Sequence, residues 1–117
     1  MNERFGLDGG YIGLIEWILN TDRRQSWVTL MARDAFENNL NYTQALDLLS
    51  NAPVMAPCYY IMGGPEAYQG AVITRDREKA ADVWVLDTQK PETWFIAETN
   101  YDHWKRKHLS GFYFVFI

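Results

Sequence analysis

The chain has 117 residues, 48% hydrophobic and 15% aromatic, with a formal net charge of −4 at pH 7. That length suits one domain with a modest core, and the composition argues against general disorder. The acidic balance and the lack of a basic patch argue against nucleic acid as a partner.

Gly9-Gly10 reads as a turn, and the apolar spacing after it predicts a helix from about Tyr11 to Leu19. Ile12, Ile15, Ile18 and Leu19 mark its apolar face, widened by Leu14 and Trp17, and Asn20-Thr21-Asp22 ends it. A second helix is expected from Ser26, as N-cap, to Asn38 or Asn39, with Trp27, Leu30, Met31 and Ala35 as its stripe. A third is expected to start at Thr43 as N-cap, to use Ala45, Leu46 and Leu49, and to close at Ala52-Pro53. Four β-rich runs follow: 59–62, 71–74, 83–86 and 94–97. Turn residues separate them, including Gly63-Gly64-Pro65 and the charged stretch Arg75 to Lys79. Helices in the first half and an antiparallel meander in the second predict an α+β layered fold. The uncharged tail from Phe112 to Ile117 reads as an edge strand or an adhesive end.

Few residues suggest chemistry on their own. The single cysteine, Cys58, excludes an intrachain disulfide, and its apolar neighbours predict a buried, inert thiol. His103 and His108 find no further ligand to complete a metal site, so no metal and no cofactor are expected. Asp76 and Asp102 read as isolated turn carboxylates. Gly63-Gly64-Pro65 lacks the Lys-Ser/Thr helix start of a phosphate loop. Lys105 to His108 reads as a solvated linker. No stretch reaches membrane-spanning length and none reads as a signal peptide. Asn41-Tyr42-Thr43 is a sequon, making Asn41 a glycosylation candidate if the chain enters a secretory compartment. Asn100 follows the run ending at Ala97, where a fixed side-chain amide can face a reacting carbonyl.

Several blocks together carry a resemblance. They are Asn2-Glu3-Arg4-Phe5 with Gly9-Gly10-Tyr11, then Glu16 to Leu19, then Tyr59 to Gly64. Val72 to Arg77, Ala81 to Trp84 and Glu98 to Lys105 continue it in the same order. Over residues 2–105 the chain resembles the acid ceramidase and N-acylethanolamine acid amidase family. Residues 1–105 are accordingly expected to form a partial domain of that family, and 106–117 a non-family apolar tail.

The resemblance implies a partial N-terminal-nucleophile hydrolase fold, an αββα sandwich. In the family an N-terminal cysteine attacks a fatty amide, its own α-amine is the base, and an acyl-thioester is hydrolysed. The substrate implied is a lipid amide, ceramide first and an N-acylethanolamine second, in a lysosomal or secreted setting. Asn100 matches the family's oxyanion-stabilising Asn, and Glu3 matches a carboxylate that orients the early Arg. The family's nucleophile, early Arg and Asp belong to a segment upstream of the match. Its late Arg lies in an Asp-Asp-Arg-Arg block, where this chain has Arg106-Lys107-His108-Leu109. The resemblance therefore implies a fragment truncated at both ends and inactive alone. Association with the missing segments or with a full-length homologue is expected of it. The rival expectation is a non-catalytic protein that binds lipid or such a homologue by sheet addition.

Overall fold

The computed structural model describes residues 1–4, 11, 15, 18–19, 25–87, 89–90, 94–99, 102, 104 and 115–116. The elements among them, in chain order, are β1 (Asn2–Glu3), α1 (Val28–Glu37), α2 (Tyr42–Asn51), β2 (Cys58–Gly63), β3 (Gly70–Arg75), β4 (Ala80–Val85), β5 (Ala97–Glu98) and β6 (Val115–Phe116).

Strands β1 to β4 form one antiparallel sheet in the order β1-β2-β3-β4. The register runs from Cys58 opposite Arg75 to Gly63 opposite Gly70, and then from Ala71 opposite Val85 to Thr74 opposite Asp82. Strand β3 is central and buried along its whole length, whereas β4 has alternating exposure. Gly70 starts β3 where a Cβ would meet Leu86 at 2.6 Å, so a side chain there would displace the residue that follows β4. Strands β5 and β6 form a second, two-stranded sheet, with Ala97 opposite Phe116. The aromatic tail thus supplies an edge strand, paired with β5 and not with the four-stranded sheet.

Because strand side chains alternate, β2 and β3 divide their residues between two faces. Cys58, Tyr60 and Ile73 face α1 and α2 and join Met31, Leu49 and Val54 in one core. Tyr59 and Val72 face the other way and pack with Ile96, supported by Ile61, Trp84 and Leu86. A helix layer therefore covers one face of the sheet, and Ile96, just before β5, packs on the other.

Local chemistry corrects several expected boundaries. Helix α1 has Trp27 at its N-cap with no side-chain cap. Ser26 is diverted into a parallel bridge with Val54: its N–H donates to the Pro53 carbonyl, and its carbonyl accepts from Met55. Helix α2 is capped by Asn41 instead of Thr43. Asn41 accepts from the Gln44 backbone while Gln44 reaches back to the Asn41 N–H, a complete capping box. The fourth expected strand, 94–97, keeps only its last residue in β5. Trp94 and Phe95 are exposed and tilt against each other at 4.7 Å. Tyr11, Ile15, Ile18 and Leu19 are helical, as the spacing predicts, but exposed. An apolar stripe needs a facing surface to be buried, and these residues are not covered in this structure.

Candidate functional site

The sheet face opposite the helices holds a cluster of ionisable groups. It begins at Arg4, immediately after β1, whose guanidinium is almost enclosed at 9% exposure. Its Nε and Nη2 each donate to one oxygen of the Asp102 carboxylate, both at 2.7 Å. The flat guanidinium fork matches the carboxylate edge, which makes this a bidentate pair. Nη1 also donates to the Arg75 carbonyl at 3.2 Å and to the carboxylate of Asp76. From β2, the Tyr59 hydroxyl donates to Asp102 at 2.8 Å. Asp102 is 3% exposed at its side chain and accepts these three hydrogen bonds from Arg4 and Tyr59. The expectation of isolated turn carboxylates fails for both Asp76 and Asp102, because each meets Arg4 across the fold.

Strand β5 adds Glu98 to this cluster. Glu98 is 1% exposed, and its Oε1 has no hydrogen-bond partner among the described residues. Burial holds its carboxyl up to about 7, the nearby Asp102 charge adds to that, and the Thr99 backbone N–H pulls the other way. Arg4 is held even more firmly charged than usual, chiefly by its hydrogen bond to Asp102. The Tyr59 hydroxyl is pushed well above the ordinary tyrosine range by burial first and by Asp102 second. At ordinary pH the tyrosine is therefore a fixed donor.

The helix face has a different charged device. Arg75 ends β3, is fully buried, and donates to the Ser50 and Ala52 carbonyls at the C-terminal end of α2. A cation there satisfies carbonyls that the helix itself leaves unpaired. The expected charged turn therefore starts one residue later, at Asp76. Cys58 lies on the same face, and burial pushes its thiol up to about 11. The buried thiol expected from its apolar neighbours is therefore found.

The sequence-derived candidates fall around the cluster. The backbone of Glu3 pairs with Cys58 in β1, one residue before Arg4. Asn100 lies outside the described residues, between Thr99 and Asp102 of the cluster, and His103 and His108 also lie outside them. Asn41 is exposed at the start of α2, with its Oδ1 engaged in the cap. The sequence reading missed Arg4, Tyr59, Glu98 and Asp102 as a unit. The available signal was that Arg4 and Asp102 carry opposite charges inside two blocks already singled out for other residues.

No family model matches the chain. Acid ceramidases of Pan troglodytes and Homo sapiens are each 43% identical to it over 105 residues, which is 90% of this chain and 26% of each relative. The chain thus spans about a quarter of the length of these curated relatives. A solved structure, the Caenorhabditis elegans ortholog of N-acylethanolamine-hydrolyzing acid amidase, superposes with a TM-score of 0.63 at 35% identity. That match covers 88% of this chain and 42% of the amidase chain. The helix-covered four-stranded sheet is consistent with part of the N-terminal-nucleophile hydrolase architecture of that neighbour. Over about nine-tenths of its length the chain is similar in sequence and in fold to members of the acid ceramidase and N-acylethanolamine acid amidase family.

Proposed function

We propose that this chain forms part of a fatty-amide hydrolase of the acid ceramidase kind, cleaving ceramide to sphingosine and a fatty acid. The observation that carries this reading is the 43% identity to acid ceramidases across nine-tenths of the chain. Asn100 would donate from its side-chain amide to the oxyanion of the tetrahedral intermediate, where such a donor contributes about 3 kcal/mol to the barrier reduction. Glu3 would orient a cationic partner at the end of β1. In this reading residues 1–105 are the hydrolase-related domain, and 106–117 an apolar tail whose β6 pairs with β5. The setting would be lysosomal or secreted, and Asn41 the position that takes a glycan.

The nucleophile must come from residues other than these 117. Their one thiol is buried and protonated. We therefore expect pure 117-residue chain to leave labelled ceramide intact. Turnover by that chain, abolished in Asn100→Ala, would overturn this expectation. The protein purified from its native source, in contrast, is expected to release fatty acid from ceramide, with any further polypeptide that carries the nucleophile. The likeness to the amidase structure favours a second substrate, so N-acylethanolamine belongs in the same assay. Faster turnover of it than of ceramide would reverse the order of the two substrates.

A further inference from the structure

We propose that the cavity between α1, α2 and the end of β2 binds a medium-chain fatty acid, its hydrocarbon chain inside and its carboxylate at the Tyr42 hydroxyl. The site does not depend on the hydrolase reading.

Three observations carry it. First, the sequence leaves the space open. Ala32 and Ala35 of α1 and Ala45 of α2 all line the cavity, and side chains this small do not fill it. Its volume is about 360 Å³, within the range of about 300–1,000 Å³ common for small-molecule sites. A methylene takes roughly the room of a water molecule, about 30 Å³, so a chain of about ten to twelve carbons fits.

Second, the wall suits hydrocarbon and little else. Leu40, Leu49, Ile61 and Met62 complete it, and the Tyr60 hydroxyl is already engaged, donating to the Val28 carbonyl at 2.7 Å. The chain is 22% charged, yet among the described residues no charged side chain lines the cavity. Ions and phosphates therefore find no counter-charge there. A polypeptide segment would bring an N–H and a C=O with each residue, and these are costly to bury without partners. An alkyl chain brings neither.

Third, the opening is amphipathic. Phe36 lines the cavity but is 83% exposed, an apolar ring awaiting cover. Tyr42, the first residue of α2, is half-buried, and burial pushes its hydroxyl above the ordinary tyrosine range. It stays protonated at ordinary pH and can donate to a carboxylate that keeps its other oxygen in water.

The test is calorimetric titration with dodecanoate, below the concentration at which it self-associates. It is run on the 117-residue chain and on the protein purified from its native source. Saturable binding of one dodecanoate per chain is expected in both. Each two-carbon extension from hexanoate to dodecanoate should tighten binding at least about fivefold. Hexadecanoate should gain no more than about twofold over dodecanoate, because the cavity is then full. Ala32→Leu and Ala45→Leu, which fill the space, are each expected to weaken binding at least tenfold. Tyr42→Phe leaves the wall apolar and should weaken it about threefold, so it serves where the filling variants fail to fold. Absence of saturable binding in the native-source protein overturns the proposal, since the cavity is then covered by polypeptide. Affinity that keeps rising through hexadecanoate overturns it too, as adsorption to the surface would do. Unchanged affinity in the filling variants, or in Tyr42→Phe, counts equally against it.

Discussion

The two faces of the sheet are built from alternate residues of the same strands, yet they are held by different forces. On the helix face Met31, Leu49, Val54, Cys58, Tyr60 and Ile73 form an apolar core, and a buried charge, Arg75, is spent on the end of α2. On the other face Tyr59, Val72 and Ile96 make a smaller apolar patch, beside which Arg4, Glu98 and Asp102 are buried. The first arrangement gains from area removed from water and tolerates any pH that leaves Arg75 charged. The second depends on protonation states and on geometry. A sheet can thus carry an apolar core on one side and a buried charged cluster on the other without changing its backbone.

The comparison can be broken by mutation. Ile73 is fully buried at the centre of β3, so Ile73→Ala is expected to cost about 3 kcal/mol in a denaturant melt, through lost transfer energy and the cavity left. A loss below about 1 kcal/mol would mean that the helix face is not the main apolar core.

The opposite face should respond to pH. Glu98 has a folded-state value raised to about 7 from the ordinary 4.5, so the folded protein holds its proton longer than the unfolded chain does. Its contribution to stability is therefore full below about pH 4.5 and lost as pH rises through about 7, with a slope of up to about 1.4 kcal/mol per pH unit. Glu98→Gln, neutral throughout, is expected to flatten that slope between pH 4.5 and 7. Melts of both proteins across that range check it, and parallel slopes would count against a buried acid here.

The smallest effect is expected on the outer surface of α1. Arg33 and Glu37 pair at 2.7 Å across one helical turn, but both are well exposed. Arg33→Ala should change stability by no more than about 0.5 kcal/mol, and added salt should shrink the difference further.

Much of the helix face was legible from sequence, because its signals are local. The stripe of α1 through Met31 and Ala35, the β-rich runs of β2 and β3, and the Gly and Pro punctuation at their ends all follow from nearest-neighbour chemistry. Even the errors there are small competitions: Asn41 over Thr43 as cap, and Ser26 drawn into a bridge with Val54. The other face was legible only in its matched blocks. Arg4 and Asp102 are 98 positions apart, and no local pattern shows that one is the partner of the other. Asp102 reads as an isolated turn carboxylate and Glu98 only as the start of a matched block, because a residue's burial is decided by what folds over it. Trp94 and Phe95 misled in the opposite direction, since strong β-propensity does not form a strand without a partner at hand.

The burial of Cys58 has a consequence for redox chemistry. With its thiol held up to about 11, only about one molecule in ten thousand carries the thiolate at pH 7. Peroxide and disulfide exchange both act on the thiolate, and both need access that a 3% exposed side chain in β2 does not offer. The Cys58 thiol is therefore shielded from thiol oxidation and disulfide exchange while the sheet is folded.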